Sequence, residues 1–345
     1  MMKVGFETLV RYVPEEVLTK EHFEYLKPAL AKLPPFLQEQ FSIVPNEVRK
    51  YKHKDGDRAE LMAIAIAQEA LDRSGLEPSD IDYVIGAAAS LHKELGLDLD
   101  TPMLNIGNCC ASFVDACHLA WNLVASGECR RVLIVASAAL AGGPNGGTTD
   151  LTMAIAPIFG DGAAAAIVSS QNLKCEFLSY YGETDGTCYR SARGEVRPLA
   201  NPELAEAACV PCGVGPYFCM DDISYIEVAS AKGYLRNSLE KALQKADLPL
   251  SALDVVICHH LGDCEASWIQ DLVDAGLGAE AFQNLRLKTG NTGHTDLPTD
   301  LAQFVEDGLV KPGSIVALWV PGSGISLGCL VLRWLVGSPR EEART

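Results

Sequence analysis

The sequence predicts an α/β fold made of two similar halves. Continuous apolar runs of strand length alternate with segments of helical periodicity, which is typical of sheets buried on both faces by helices. Ala70–Ile85 also resembles Ala242–Ile257, with Ala, Leu, Ser, Asp, Val and Ile at matching positions. A weaker similarity relates Gly160–Val168 to Gly322–Leu330. Repeats separated by about half of the chain indicate a tandem duplication.

The elements of the first half follow from these patterns in chain order. Residues 3–12 alternate as in a strand, and a helical pattern from Asp57 ends at Ser74-Gly75, where glycine can terminate it. Further apolar strands are predicted at 81–88, 103–108, 132–138 and 163–169, with one helical turn at 92–97 and a helix from Cys110 to Val124.

In the second half the periodicity becomes clear only after a gap. Residues 175–220 are rich in turn residues, and we expect an insertion or lid there. A long helix is predicted at 222–246, followed by strands at 255–260 and 315–321. The predicted domains are a first half at 1–170, the insertion at 171–221, a second half at 222–337 and a flexible tail at 338–345.

Composition limits the classes of function. The chain has 345 residues and a net charge of −17, which argues against nucleic acid or an anionic membrane as partner. The sequence contains no recognisable signal peptide and no apolar run near the roughly 18 residues of a membrane span, so a cytoplasmic protein is expected. We therefore interpret the 12 cysteines as small buried residues rather than disulfides.

The first candidate for chemistry is the cysteine pair in Asn105–Phe113. The pair leads into an apolar helix, and a thiol in the first helical turn faces unpaired N–H groups and the positive end of the helix dipole. Both effects favour the reactive thiolate. On the residues alone, Cys109 and Cys110 are equally eligible as the nucleophile.

The duplication suggests partners for that thiol. Equivalent strand ends meet at a pseudo-twofold axis, so His259 or His260, at the end of the second-half strand, is expected to reach the cysteine as a base. Asn291, in the loop 288–294, offers an amide for a substrate carbonyl, and the turn 321–324 offers backbone N–H groups to an oxyanion. The alternatives are a satisfied imidazole at a strand end and an ordinary turn asparagine.

These motifs resemble the thiolase superfamily and, within it, the ketoacyl-acyl-carrier-protein synthase III group. That group's Ala-Cys-Ala-Gly-Phe motif is similar to 109–113, which selects Cys110, and its Pro-His-Gln-Ala-Asn motif aligns so as to select His259. Its Gly-Asp-Gly-Ala, Gly-Asn-Thr and glycine-rich turn motifs match 160–163, 290–292 and 322–324.

The resemblance implies a duplicated thiolase fold, a five-layered α-β-α-β-α sandwich, in a homodimer. It implies catalytic roles for Cys110, His259 and Asn291, with the oxyanion held by the backbone N–H groups of Cys110 and Ser323. Cys110 would take an acyl group, and a malonyl-type thioester would lose carbon dioxide and attack it. The substrates would be thioesters of coenzyme A or acyl carrier protein, with no further cofactor and no metal.

The sequence departs from that group at positions that bear on the substrate. Cys264 stands where the group has an arginine that docks acyl carrier protein, Cys109 and Ser112 replace small residues, and the segment before Cys109 is shortened. These differences favour a specialised synthase for unusual acyl groups in polyketide or fatty-acyl metabolism. Further candidate substrate contacts are Arg49, placed near the coenzyme A nucleotide by a loose alignment, His260 and His294.

Three other interpretations stay open at this point. Acyl-Cys110 can be captured by an alcohol or amine without decarboxylation, or the chain can be a non-catalytic partner subunit. Cys209 and Cys212 have the spacing of a zinc or redox pair, although the second CxxC pair of a structural zinc site is absent from the sequence.

Overall fold

The structure is a computed structural model. It describes residues 2–19, 21–22, 24, 31, 47–51, 58–86, 90–141, 158–188, 193–198, 214–219, 233–260, 264–322 and 325–337. The strands in this part of the chain are β1 (Gly5–Tyr12), β2 (Glu16–Thr19), β3 (Glu47–Lys50), β4 (Tyr83–Ile85), β5 (Met103–Leu104), β6 (Arg131–Ala139), β7 (Asp161–Ser169), β8 (Cys175–Thr184), β9 (Arg193–Pro198), β10 (Val214–Cys219), β11 (Val255–Cys258), β12 (Phe282–Gln283), β13 (Ile315–Gly322) and β14 (Ser326–Trp334).

The α-helices of the same part are α1 (Arg58–Ser74), α2 (Leu91–Leu95), α3 (Ser112–Ala125), α4 (Tyr234–Lys245), α5 (Cys264–Asp274), α6 (Arg286–Thr289) and α7 (Asp296–Glu306). Short 3₁₀ turns precede two of them: Cys109–Ala111 leads into α3, and Gly293–Thr295 leads into α7.

Two five-stranded sheets have the same topology. The first has the order β1-β7-β6-β4-β5 and the second the order β8-β14-β13-β11-β12. In each sheet the first two neighbouring pairs are antiparallel and the last two are parallel. The repeated sequence falls on equivalent elements, the end of α1 with β4 and the end of α4 with β11. The duplication predicted from the sequence is therefore visible in the fold.

The hydrophobic contacts arrange these elements in five layers. Helices α3 and α7 form the middle layer, where Phe113 and Val114 pack in one cluster with Leu301 and with residues of both sheets. Helix α1 covers the other face of the first sheet, and α4 and α5 cover the other face of the second. The α-β-α-β-α sandwich implied by the sequence is confirmed.

The structure changes one sequence-based boundary. Residues 175–184 belong to the region 171–221 interpreted as an insertion, but they form β8, a strand of the second sheet. Its alternation was hidden because Ser179, a polar residue, is buried and donates to the carbonyl of Ala242 at 2.6 Å. The predicted helix 222–246 agrees with α4 where it is described; residues 222–232 and the tail 338–345 lie outside the described residues.

The described residues agree with the expected use of cysteine as a core residue. Cys117, Cys129, Cys175, Cys258 and Cys329 are buried free thiols. Among the helices of the described residues, none is long and apolar enough to cross a membrane.

Candidate active site

The candidate nucleophile lies on the 3₁₀ turn that precedes α3. Cys110 is partly buried there, and its neighbour Cys109 has φ +46°, the left-handed region that non-glycine residues rarely adopt. The hydroxyl of Ser112 donates to the carbonyl of Cys109 at 2.7 Å and accepts from the N–H of Asn108 at 2.9 Å. The first turn of a helix in the middle layer thus presents the thiol, as the sequence predicted.

His259 follows directly after β11, at the carboxyl end of a parallel strand. Its backbone N–H donates to the carbonyl of Trp319 on β13 at 3.1 Å, and its side chain is fully buried. The thiol of Cys110 lies beside the imidazole, close enough for a negative charge on its sulfur to raise the pKa of His259. The second sheet therefore brings a base to the nucleophile of the first half.

Asn291 is held with its amide nitrogen toward the histidine. The Nδ2 atom donates to the carbonyl of His260 and lies 3.3 Å from Nε2 of His259. The Oδ1 atom accepts from the N–H of Gly293 at 2.8 Å, which fixes the orientation of the amide. Cys110, His259 and Asn291 therefore meet in one place, with two polar groups facing the nucleophile.

Two backbone hydrogen bonds join the loop that carries Asn291 to the first half. The N–H of Asn291 donates to the carbonyl of Ile158 at 2.6 Å, and the carbonyl of Asn291 accepts from the N–H of Gly160 at 2.8 Å. A Cβ atom on Gly160 would lie 2.1 Å from the carbonyl oxygen of Thr289, so no side chain fits there. The Gly-Asp-Gly segment at 160–162 therefore supports the asparagine loop.

Two aspartates that the sequence analysis did not select lie behind His259. Asp296 and Asp300 are four residues apart on α7 and are both buried. The Oδ2 atom of Asp296 lies 2.6 Å from Nδ1 of His259, in an ionic contact that departs from the angle of a linear hydrogen bond. Two carboxylates at i and i+4, on a helix whose apolar residues Leu297, Leu301 and Val305 mark it as packed in the core, were the signal that could have revealed them.

The structure corrects the proposed substrate contact of His260. This residue is 1% exposed, and both of its ring nitrogens contact protein: Nδ1 lies 3.1 Å from the carbonyl oxygen of Gly290, and Nε2 lies 2.8 Å from Oδ2 of Asp300. Its backbone N–H also contacts Asp296 at 3.3 Å. Since both nitrogens are occupied by the protein, His260 supports the site from behind and does not face a substrate.

The charges of the site raise the pKa of His259 and lower that of Asp296, and both shifts favour an ion pair between them. Burial by itself lowers the pKa of His259, but the negative charges of Cys110 and Asp296 raise it well above its ordinary value. Burial also opposes ionisation of Asp296, but His260, His259 and hydrogen-bond donors lower its pKa to about 2. The carboxylate is therefore ionised at neutral pH.

The predicted oxyanion turn falls partly outside the described residues. Ser323 is not described, but Gly322 ends β13 against the turn of the nucleophile. A Cβ atom on Gly322 would lie 3.1 Å from the carbonyl oxygen of Asn108 and 3.3 Å from Cβ of Ala111. The chain therefore enters the predicted oxyanion turn directly beside Cys110.

A cavity of about 470 Å³ opens beside the nucleophile turn. Three predicted substrate contacts, Cys109, Ser112 and His294, line it, and so do Glu60 and apolar residues of the first half. Cys110 itself is not among the lining residues. Burial lowers the pKa of His294, which favours the neutral imidazole.

Arg49 lies on β3 beside the asparagine loop. Its guanidinium donates to Oε2 of Glu47 at 2.8 Å and to the carbonyls of Lys288 at 3.3 Å and Glu15 at 3.5 Å. Its contact with coenzyme A stays a prediction.

Metal binding was the third alternative reading of the sequence. Cys209 and Cys212 lie outside the described residues. Within the described ranges, no group of three or more His, Cys, Asp or Glu side chains is arranged to hold a metal ion.

The duplicated sandwich and the meeting of cysteine, histidine and asparagine define a thiolase-fold enzyme. Residues 104–186 match the family 3-oxoacyl-(acyl-carrier-protein) synthase III, and residues 243–334 match its C-terminal part. The chain belongs to the ketoacyl-acyl-carrier-protein synthase III family of condensing enzymes, which are acyltransferases.

Individual relatives agree with this assignment. Beta-ketoacyl-(acyl-carrier-protein) synthase III of Synechocystis is 28% identical over 283 residues, 79% of this chain and 82% of the relative. The Campylobacter curvus enzyme of the same name is 24% identical over 350 residues, 97% of this chain and 98% of the relative. A crystal structure of OleA from Xanthomonas campestris has the same fold, with a TM-score of 0.78 and 17% identity over 96% of this chain and 98% of that one. Synthase III from Aquifex aeolicus superposes with a TM-score of 0.73 and 20% identity, over 96% and 100% of the two chains.

Proposed function

We propose that this protein joins two acyl thioesters by decarboxylative Claisen condensation through an acyl-Cys110 intermediate. The observation that carries the proposal is the convergence of Cys110, His259 and Asn291 in one buried site built by both halves. The pairing of a nucleophile with an imidazole and with a preorganised amide donor fits an acyl transfer followed by formation of an enolate.

In the first half-reaction, the Cys110 thiolate attacks the carbonyl carbon of an acyl thioester. The negative charge on the carbonyl oxygen is held by the backbone N–H groups of Cys110 and Ser323, the predicted oxyanion donors. The carrier leaves as a thiolate, and the acyl group stays on Cys110. The cavity lined by Cys109, Ser112 and His294 receives the acyl chain.

In the second half-reaction, His259 Nε2 and Asn291 Nδ2 bind the carbonyl oxygen of a malonyl-type thioester. These two nitrogens lie 3.3 Å apart, so one oxygen can contact both. Loss of carbon dioxide leaves an enolate whose charge the two donors stabilise. Its carbon attacks acyl-Cys110, which forms the β-keto thioester and releases the cysteine thiolate.

We propose a specialised acyl substrate, of fatty-acyl or polyketide type. Cys109 and Ser112 replace small residues of the family motif, and both line the cavity. Cys264 takes the place of an arginine that docks acyl carrier protein, so coenzyme A and carrier-protein thioesters are both candidate carriers. Assays of one acyl group on each carrier would separate them.

The decisive experiment combines mass spectrometry with detection of carbon dioxide. The protein is incubated with a panel of acyl thioesters, and an acyl adduct is expected on Cys110 and absent from Cys110→Ala. Addition of malonyl-coenzyme A, or of the malonyl carrier protein, is then expected to release carbon dioxide and a β-keto product. Failure to acylate Cys110 across the panel would contradict the proposal and support a non-catalytic partner subunit.

The same experiment tests the second candidate, acyl transfer to an alcohol or amine. This candidate is favoured by the contact of His259 with Asp296, because a histidine oriented by a carboxylate is suited to deprotonate a hydroxyl group. Under this function the acyl adduct forms and disappears on addition of the acceptor, while no carbon dioxide is released. Asn291, which is suited to bind a second carbonyl, favours condensation.

We also propose that the protein is a homodimer. Strand β5 is the edge of the first sheet, so its outer side is available to a second copy. Leu104 on β5 is 40% exposed, and nearby Leu99 is 96% exposed. Light scattering is expected to give twice the mass of the chain, and Leu104→Lys is expected to weaken the dimer. A monomeric wild-type protein at micromolar concentration would contradict this proposal.

A further inference from the structure

We propose that Asp296 is a positioning residue that keeps both ring nitrogens of His259 protonated, so that a charged imidazolium binds the thioester carbonyl throughout the cycle. This inference rests on the proposed function and deepens it, since it names the charge that stabilises the enolate in the second half-reaction.

The first argument is the environment of Asp296. Its Oδ1 atom accepts from the N–H and the hydroxyl of Thr292, each at 2.6 Å, and its Oδ2 atom lies 3.3 Å from the N–H of His260. All three groups donate, and such donors favour the ionised carboxylate. The Nδ1 atom of His259 lies 2.6 Å from the same Oδ2 atom. Two unshared electron pairs cannot approach this closely, so Nδ1 carries a proton.

The second argument concerns the opposite nitrogen. With a proton fixed on Nδ1, the neutral form of His259 has an unshared pair on Nε2, directed to the site shared with Cys110 and Asn291. A neutral Nε2 cannot donate to the thioester carbonyl. The two-donor arrangement required for the enolate therefore exists only when His259 is the imidazolium. The raised pKa of His259 agrees with this.

The remaining charged groups around His259 do not reverse this arrangement. His260 donates from Nδ1 to the carbonyl of Gly290, so one further proton is shared between its Nε2 and Asp300, 2.8 Å away. That pair is neutral as a whole. His294 opposes a positive charge on His259, but its own pKa is lowered by burial. Cys110 and Asp296 are then the groups that stabilise the positive charge of His259.

The protons of the reaction balance when His259 stays positively charged throughout the cycle. The Cys110 thiolate attacks the first thioester, the carbon–sulfur bond to the carrier breaks, and the carrier thiolate takes a proton from water. The malonyl group then loses carbon dioxide, its new carbon–carbon bond forms with the acyl group, and the Cys110 thiolate is regenerated. One proton is consumed from solvent per cycle, and none is taken from the imidazole.

The test is histidine ring NMR on nitrogen-labelled protein, with the His259 signals assigned by His259→Ala. The measurement is made in the variant Cys110→Ala, because this variant lacks the negative charge of the thiolate, as the acylated enzyme does. In Cys110→Ala we expect both nitrogens of His259 to be protonated at pH 7. In the double variant Cys110→Ala with Asp296→Asn, we expect the midpoint of the His259 titration to fall by about one to three pH units. Glu306→Gln, at the far end of the same helix in a pair with Arg11, is the matched control and is expected to change nothing.

A kinetic measurement separates positioning from mere structural support. Release of carbon dioxide from malonyl-coenzyme A by Cys110→Ala is expected to fall about 10²-fold when Asp296→Asn is added, because one donor of the enolate is lost. Asp296→Glu is expected to restore part of the rate. Thermal melting of each variant shows whether the fold persists.

The inference is overturned if His259 loses a proton at neutral pH in Cys110→Ala, or if Asp296→Asn leaves its titration unchanged. Either result would leave the proposed condensation intact, because wild-type acylation and carbon dioxide release are measured separately. Conversely, the absence of both reactions in the wild type would refute the proposed function while the NMR result still stood.

Discussion

The two halves of this protein place the same structural device at the active site and use it for opposite purposes. In the first half, the 3₁₀ turn Cys109–Ala111 precedes α3 and carries the thiol. In the second half, the turn Gly293–Thr295 precedes α7, whose first residue is Asp296. The two turns occupy equivalent positions in the duplication and contact each other.

The two turns differ in the side chain that each one places in the site. The first turn presents Cys110, partly buried, next to an open cavity. The second turn presents a carboxylate that is 1% exposed and faces a histidine that is fully buried. A duplicated fold can therefore divide a reaction, with the nucleophile from one half and the charged donors from the other. Substitutions in each half test this division.

The largest effect is expected from Cys110→Ala, in the first half. Condensation should fall by about 10⁴-fold or more, because no acyl-enzyme can form. Release of carbon dioxide from malonyl-coenzyme A should continue, because its donors belong to the second half. Product formation and carbon dioxide are measured on the same sample. Loss of both activities in a folded variant would show that the division between the halves is wrong.

Asn291→Ala, in the second half, is expected to show the reverse pattern. Carbon dioxide release should fall about 10²- to 10³-fold, since one preorganised donor to the enolate is removed. The acyl adduct on Cys110 should still form, as measured by mass spectrometry. An equal decrease in acylation would mean that the asparagine also serves the first half-reaction.

Gly160→Ala tests the connection between the halves. Its Cβ would lie 2.1 Å from the carbonyl oxygen of Thr289, so the asparagine loop must move, at a cost of about 1–3 kcal/mol in the free energy of unfolding. Carbon dioxide release should fall more than acylation. Gly186→Ala is the matched control, because a Cβ atom there would meet nothing within 4 Å. Urea unfolding and the two half-reaction assays compare them.

The smallest effect is the dependence of stability on pH. The pKa of His259 is raised above 6.5, so its contribution is complete below that pH and is lost as the pH rises through the raised value. The pKa of Asp296 is lowered from 3.8 to about 2, so its contribution is complete above 3.8 and is lost as the pH falls toward 2. Thermal melting should therefore be highest between these limits and decline by about 2–4 °C per kcal/mol lost. Asp296→Asn should flatten both slopes; unchanged slopes would contradict the pairing.

Much of the architecture could be predicted from the sequence because its signals are local. The internal repeat indicated two equivalent sheets, and the motifs around Cys110, His259 and Asn291 are short and lie at the ends of regular elements. Strand β8 was missed because a buried serine interrupts its apolar pattern. The partner of that hydroxyl, a carbonyl on α4, is distant in sequence.

The spacing of Asp296 and Asp300 marks them as candidates, but their contacts and those of His260 depend on direction and distance, which the sequence does not give. His259 contacts the thiol and Asp296, while the ring of its neighbour His260 contacts Gly290 and Asp300, and a strand pattern does not distinguish these partners. Asp296 lies 37 residues from His259 and Asp300 lies 40 residues from His260, and the packing of α7 against β11 creates both contacts.

The attachment of Asn291 to Ile158 and Gly160 has a consequence for how activity appears during folding. This contact joins segments from the two halves and can form only after the sheets have docked. In refolding from denaturant, helical circular dichroism should recover first, and carbon dioxide release should recover last. The recovery of carbon dioxide release therefore reports the rate of the final step of folding, the docking of the two halves.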